Sequence, residues 1–408
     1  MDKLLEFVSA HLTEDTTRLI LDRSKWPDID METAVNCIES RRKLKGKVQE
    51  WYDEPRLVFP LKLSAEQCSS CATGMYKAQL AVRIAGKMGW KLADLTGGLG
   101  VDSWFFSKKA SEVLYNEMQT SLCKAASHNF KVLGADNIIL RNEIAERGNI
   151  NDILKGFDPD IIYMDPARRG EGGRKVFLIE ECTPDILILK DEIFGICRHL
   201  LIKLSPMADI SMVCDRLGKG CREVHIISSG GECKELLVWM DSQWSSEYSI
   251  TAVELPAKYP DNGAATLSFT PSEEKSGNAA IAEETEGFLF EPGRSLTKAG
   301  AFNVTGIRFG IYKLGISTHY YIIPDHETAV SMKNFGKVYE ILSCYPLDKR
   351  SIKEVGKRHQ KAEVTARNIP MTSEALRKKI GCSSGGEVHV FGFKSENKGN
   401  LLVVCRRI

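Results

Sequence analysis

Three short segments carry residues whose types and spacing suit the binding of a ribose-bearing ligand at the carboxyl ends of a strand array. The first is Asp94-Leu-Thr96-Gly97-Gly98-Leu-Gly100, directly after a short apolar run and opening a helix-length stretch. Glycines there let the chain turn sharply and leave main-chain N–H groups bare at a helix start, where a polar ligand can sit. The second is Asn116-Glu117, about twenty residues further on. An acid at that place accepts the hydroxyl hydrogens of a ribose. The third is Tyr163-Met-Asp165-Pro166-Ala167-Arg168-Arg169, which puts a carboxylate and a rigid turn beside the same crevice.

These segments need a scaffold that brings strand ends together, and the surrounding pattern supplies one. Short apolar runs at 91–95, 112–115, 137–140, 160–164, 200–204, 223–227 and 235–240 alternate with helix-length stretches. That alternation predicts a parallel sheet with helices on both faces. The last two runs are joined only through 228–234, which includes Gly230-Gly231, so they must form an antiparallel hairpin. The fold class expected is α/β, a Rossmann-like seven-stranded sheet with an antiparallel last strand. An N-terminal helical segment precedes it and α+β modules follow.

Residues 1–90 read as helical at 1–10, 30–43 and 64–88, with Ser64-Ala-Glu-Gln67 as a capping box and 52–60 extended. Residues 270–285 are polar with Gly and Ser, and read as a mobile linker or loop tip. Beyond them, 295–302 and 374–380 read as helices and 319–323, 338–342, 387–393 and 401–404 as strands. The domain plan is 1–90 helical segment, 91–245 cofactor domain, 246–286 linker or extension, then modules at 287–336 and 337–408.

At 408 residues the chain is long enough for two or three domains, and its 43% hydrophobic and 27% charged content is that of a globular protein. The net charge of +1 rules out a global field for nucleic acid. It hides a basic C-terminus, with 14 Lys and Arg against 6 Asp and Glu in residues 346–408. Such an end suits an anionic partner, or is a solvated face. Of twelve cysteines only Cys68 and Cys71 form a CxxC, and no second pair completes a zinc site. No metal is expected. The N-terminus lacks a signal-peptide layout and no stretch reaches membrane-span length, so a cytoplasmic protein with reduced thiols is expected. No oligomeric state follows from the sequence.

Together the three segments resemble class I S-adenosylmethionine-dependent methyltransferases, across residues 91–240. The resemblance implies S-adenosyl-L-methionine as cofactor, held by Asp94, Thr96, Gly97, Gly98, Gly100, Asp102, Glu117, Asn149, Ile150 and Asp165. Glu117 matches the ribose-binding acid. Gly148-Asn149-Ile150 matches the turn beside the adenine, with Asn149 where the family often has aspartate. Polar residues upstream, Gln67, Thr73 and Lys77, are implied to lie over the methionine end, or else belong to a capped helix with a solvated face.

Asp165-Pro166-Ala167-Arg168 resembles the Asp-Pro-Pro-Tyr signature of amino-directed methyltransferases, with Ala167 and Arg168 replacing the second proline and the base-stacking ring. Catalytic roles are implied for Asp165, Pro166, Arg168 and Lys203. Arg168 and Arg169 could bind phosphate or stack on a base. Asp-Pro-Pro-Arg also occurs in RNA uracil-5-methyltransferases, but Ile202-Lys203-Leu204-Ser205-Pro206 holds no cysteine for that covalent route. The glycine turn is also similar to that of bacterial rRNA guanine-2-amino methyltransferases, which points toward a purine amine.

From residue 287 the chain resembles a bacterial methyltransferase family with ferredoxin-like and THUMP-like domains. The matching stretches are Phe288-Leu-Phe-Glu291-Pro292, Lys298-Ala-Gly-Ala-Phe302, His319-Tyr320, Lys349-Arg350, Arg367-Asn368-Ile-Pro370, Leu376-Arg377-Lys378 and Gly385-Gly386. THUMP domains in RNA-modifying enzymes bind tRNA. The resemblance therefore implies a cytoplasmic methyltransferase acting on a base of structured RNA, tRNA or rRNA. Arg350, Lys353, Lys357, Arg358, Lys361, Arg367, Arg377, Lys378 and Lys379 are the expected RNA contacts. Two alternatives stay open: a small-molecule or protein methyltransferase, and a non-catalytic RNA-binding protein that keeps the cofactor fold.

Overall fold

Caps set the N-terminal helices of the chain, whose structure, a computed structural model, describes residues 2–168, 178–257 and 259–408. The Asp15 and Asp30 carboxylates accept backbone N–H groups at the starts of α2 (Thr16–Leu21) and α3 (Met31–Leu44), behind α1 (Asp2–Ala10). Residues 64–88, expected as one helix, divide into α5 (Lys62–Gln67) and α6 (Cys71–Ala85). Ser64 lies inside α5 and caps nothing. The capping box is formed instead by Ser70 and Thr73, each side chain accepting the other's backbone N–H. Gly86 (φ +62°) closes α6 in the left-handed conformation.

The segment expected as extended begins with a short helix, α4 (Gln49–Asp53). The rest is held by buried Arg41, which donates to the carbonyls of Tyr52, Glu54, Pro55 and Leu57 at 2.8–3.1 Å.

The chain divides into two compact units, residues 1–224 with 235–246 and residues 225–234 with 247–408. In the first, β1 (Lys91–Asp94), β2 (Glu112–Asn116), β3 (Ile138–Arg141), β4 (Ile161–Met164) and β5 (His199–Leu204) are parallel. The hairpin of β6 (Cys221–Ser229) and β7 (Glu232–Asp241) ends the run, with β7 antiparallel to β5. The strand order is β3-β2-β1-β4-β5-β7-β6. All seven expected strands are present, each with its ends moved by a residue or a few. Gly230 and Gly231 both have positive φ, as a tight two-residue hairpin turn requires. The crossovers use α7 (Val101–Ser107), α8 (Thr120–Val132), a single turn at Ile150–Ile153, α9 (Ile186–Phe194) and α10 (Ile210–Leu217).

In the second unit β8 (Ser249–Leu255) pairs antiparallel with β9 (Ala265–Phe269). The stretch expected as a mobile linker contains α11 (Pro271–Ser276), started by a Thr270–Glu273 capping box. Its Glu274 accepts the backbone N–H groups of Asn303 and Val304 at 2.8–3.0 Å, which fixes it to the chain that follows. Part of the polarity there is spent on capping.

Then come β10 (Phe288–Pro292), α12 (Arg294–Ala299), α13 (Asn303–Phe309), β11 (Tyr321–Ile323), α14 (His326–Met332) and β12 (Gly336–Pro346). The chain closes with α15 (Lys349–Arg358), β13 (Glu363–Arg367), α16 (Ser373–Ile380), β14 (Val388–Ser395) and β15 (Gly399–Arg407). The sheet order is β11-β10-β12-β15-β14-β13, with the two-residue strand Tyr312–Lys313 outside β11. Only β13 and β14 among the described pairs of this sheet run parallel. One buried cluster joins Leu289, Tyr320, Tyr339, Phe391 and Val403; another joins Val355, Leu376, Val390, Leu402 and Val404, from α15, α16 and the strands. Among the described residues no helix is long and apolar enough to cross a membrane.

Candidate functional site

The glycine turn is shaped by what each α-carbon faces. A Cβ on Gly97 would lie 2.1 Å from the Tyr115 ring, and one on Gly100 2.7 Å from Phe130, so both must be glycine for packing. Gly98 (φ +54°) faces open space, with only the Thr96 carbonyl oxygen 3.9 Å from its ideal Cβ. Its neighbours are fixed: Tyr115 donates its hydroxyl to the Gly98 carbonyl at 2.6 Å. Asp94 ends β1, buried, accepting Ser103 Oγ at 2.6 Å and the Thr96 N–H at 3.0 Å. Burial pushes its carboxyl up to about 7, against those two hydrogen bonds and with the Asp102 and Asp165 carboxylates adding to the rise.

The expected ribose acid closes this turn. Glu117 accepts the Gly98 N–H at 2.8 Å through Oε2 and the Gln119 N–H at 2.8 Å through Oε1. Each oxygen keeps a lone pair for a hydroxyl hydrogen. Open space at Gly98 bounded by a carboxylate therefore fits the sugar of a nucleoside cofactor. The adenine turn is less simple. The Asn149 side chain is engaged in its own loop, donating to the Ile144 carbonyl at 2.6 Å and accepting the Glu146 N–H at 3.0 Å. Glu192 of α9 accepts the N–H groups of Gly148 at 2.8 Å and Ile150 at 3.1 Å, which brings an acid to this turn from a segment the motifs did not single out.

At the end of β4 the Thr96 hydroxyl accepts the Asp165 N–H at 2.6 Å, tying the third segment to the first. Pro166 is buried behind it. Lys203, on β5, donates to Asp165 Oδ2 at 2.5 Å. Its side chain is 11% exposed and that of Asp165 37%, so the pair is reachable from the Asp165 side. Burial pushes the Lys203 ammonium down, and the carboxylates of Asp165, Asp102 and Glu235 outweigh it, leaving the group above its ordinary range.

A second ion pair lies in the same network. Lys77 of α6 is fully buried, with Glu235 oxygens at 2.7 and 2.9 Å, Ser69 Oγ at 2.6 Å and Asp102 Oδ1 at 3.2 Å. Asp102 also accepts the hydroxyls of Tyr163 at 2.8 Å and Ser69 at 3.0 Å. Burial raises its carboxyl, and Lys77 and Lys203 outweigh that to hold it below the usual range. Asp102, expected as a cofactor contact, is thus committed to this charge network. Lys77 is not the solvated face considered for it, Thr73 caps α6, and Gln67 is exposed at the end of α5. Glu235 was not singled out in the sequence; its signal is a charge directly before the apolar run 236–240 of β7.

One solved structure matches the chain along nearly its whole length. A candidate methyltransferase from Porphyromonas gingivalis W83 superposes with a TM-score of 0.84 at 28% identity, over 99% of this chain and 97% of that one. Residues 336–407 match the THUMP domain-like family model and residues 288–327 that of a ferredoxin-like domain. The chain has the class I methyltransferase fold, with ferredoxin-like and THUMP-like domains appended. Partial matches include an rRNA methylase from Streptococcus thermophilus (13% identity, 41% of this chain, 96% of that one, TM-score 0.31). Another is a SAM-dependent methyltransferase from Aquifex aeolicus (15% identity, 41% and 90%, TM-score 0.29). No curated protein matches the chain in sequence.

Within the methyltransferase fold, Ala167–Arg168 forms a two-residue strand paired with Cys182–Thr183, and Arg169 lies outside the described residues. In the THUMP-like domain, α15 presents Arg350, Lys353 and Lys357 exposed, and α16 presents Lys378 and Lys379. Lys361, between β13 and α15, is exposed as well, and Arg377 is half-buried. Arg358 pairs with Glu354 at 2.8 Å, and Lys378 with Glu374 at 3.0 Å. Arg367 departs from the expected set. It pairs with Glu291 at 3.1 Å and lies 4.6 Å over the Tyr320 ring, joining β13 to the ferredoxin-like domain.

Proposed function

We propose that the chain is an S-adenosylmethionine-dependent methyltransferase that modifies structured RNA. One observation carries this reading: the glycine turn closes on Glu117, and the Asp165–Lys203 pair stands at the adjoining strand end, tied to the turn through Thr96. Gly98 and Glu117 would hold the ribose, and Asp94 would face the methionine part across the turn. When bound, the cofactor supplies the activated methyl group, so the chain's own task is to position the acceptor and exclude water. The THUMP-like module, with exposed cations on α15 and α16, supports RNA as the partner. In this reading 91–245 is the transfer domain and 337–408 the docking module.

The test is calorimetric titration of the full chain with S-adenosylmethionine, followed by transfer of labelled methyl to total RNA from a host strain lacking the gene. Binding and RNA labelling are expected. Failure to bind the cofactor, or label appearing in a small molecule or a protein instead, would overturn the reading.

A further inference from the structure

We infer that the acceptor is a hydroxyl oxygen, the ribose 2′-hydroxyl of RNA, rather than a nitrogen of a base. This rests on the methyltransferase reading above and adds the acceptor atom, which the sequence had placed on a base. The Asp165–Lys203 pair carries the argument. Asp165 Oδ2 accepts from Lys203, and Oδ1 has no partner among the described residues. The Lys203 ammonium has three hydrogens and spends one on Asp165. Two ammonium hydrogens are left, and with Asp165 37% and Lys203 11% exposed the pair offers a free acceptor on Asp165 and, beside it, the small exposed part of a side chain that can donate.

Only one kind of nucleophile matches both while keeping a lone pair for the methyl carbon. A hydroxyl donates its hydrogen to Asp165 Oδ1, accepts from Lys203 with one lone pair, and attacks with the other. An exocyclic amine must use its single lone pair in attack, so it presents only N–H groups and meets the Lys203 N–H donor to donor. A pyridine-type ring nitrogen has no hydrogen for Asp165, and a lactam ring N–H has its lone pair in the ring π system and none with which to accept from Lys203. A ring carbon needs a covalent nucleophile, and 202–206 holds no cysteine. The 2′-hydroxyl is both donor and acceptor, and it is the group that distinguishes RNA from DNA. Arg168 stands where the signature's base-stacking ring would serve an amine acceptor, which agrees with a sugar target.

In the transfer the acceptor oxygen bonds the methyl carbon while the carbon–sulfur pair returns to sulfur. The O–H bond breaks toward oxygen and its proton passes to Asp165 Oδ1, from which solvent removes it. Lys203 stays charged, orienting the oxygen. Lys77 is a positioning residue: it holds Glu235 and Asp102, the carboxylates whose field keeps Lys203 protonated.

The experiment labels total RNA from the deletion strain with the full chain and radioactive cofactor, then digests it to nucleosides for mass spectrometry. Label in a 2′-O-methylnucleoside is the expected result. Label in a base-methylated nucleoside would overturn the hydroxyl assignment and leave the RNA methyltransferase reading standing. Cofactor binding without RNA label would overturn both. Once the target strand is known, a 2′-deoxy nucleotide at that position should bind the wild type more weakly by fluorescence anisotropy. Asp165→Asn and Lys203→Gln should lose at least about a hundredfold in labelling rate, with circular dichroism unchanged. Equal binding of the deoxy strand, or undiminished labelling by both variants, would count against the proposal.

Discussion

Glu117 Oε2 accepts the backbone N–H of Gly98 at 2.8 Å, so the acid after β2 and the glycine turn after β1 form one unit. Replacing Glu117 with alanine would remove both the proposed ribose contacts and the acceptor that fixes the turn. Cofactor affinity should fall by about 1–3 kcal/mol, the range for charge-assisted hydrogen bonds. Calorimetry with Glu117→Ala checks it, and an unchanged dissociation constant would remove Glu117 from the cofactor set.

The glycines of the turn should respond differently to alanine. Gly97→Ala pushes a methyl into the Tyr115 ring, a buried side chain, and should destabilise the fold by about 1–3 kcal/mol through overpacking. Gly98→Ala meets open space, so its folding cost is only that of the positive φ, about 1–2 kcal/mol, but its methyl enters the region proposed for the ribose. Urea unfolding with and without cofactor separates them. Gly98→Ala should lose most of the cofactor-induced stabilisation that wild type shows.

The strand ladder was legible because β4 and β5 are apolar runs of a length that fits no helix, and because Gly230-Gly231 leaves no room for a crossover. The three motifs were legible because their residues are close in sequence. Lys77 and Glu235 were not, since their pairing spans 158 positions and depends on tertiary packing. The short helix inside 270–285 was not legible because Thr270, Glu273 and Glu274, polar in composition, are spent on caps and on Asn303. Arg367 was grouped with surface cations for the same reason: nothing local in Ala-Arg-Asn shows that Glu291 and Tyr320 wait for it.

Asp94 should make stability depend on pH. Its carboxyl is pushed from 3.8 in the unfolded chain to about 7 in the fold, chiefly by burial. The folded state therefore holds the extra proton between these values. The group's contribution is fully present below the unfolded value and is lost as pH rises through about 7. A cationic cofactor favours the carboxylate form, so its binding should tighten from about pH 6 to 8 with proton release. Calorimetry in buffers of different ionisation enthalpy reads that proton. Asp94→Asn should abolish the release, and a wild type that takes up no buffer signal would contradict the assignment.

Lys77 tests the buried charge network as a structural element. Lys77→Met leaves Glu235 and Asp102 buried without their cation, and breaking such a pair on one side costs about 3–5 kcal/mol. Adding Glu235→Leu should recover part of that loss, because an apolar pair needs no compensation. Urea midpoints of the single and double variants decide it. A Lys77→Met protein as stable as wild type would show the network to be dispensable for folding.

The exposed and the engaged cations of the THUMP-like domain should separate by salt dependence. Arg350, Lys353 and Lys357 lie exposed on α15, and a triple alanine variant removes charge without disturbing buried contacts. If they neutralise phosphates, the slope of log affinity against log salt should fall by about 2–3, since each contact contributes about 0.7–0.9. Arg367 is different in kind, being held by Glu291 and the Tyr320 ring. Arg367→Ala should lower the urea midpoint while leaving the salt slope as it is. Filter binding of total tRNA from about 50 to 200 mM salt measures the slopes. A triple variant with the wild-type slope would move the RNA contact away from α15.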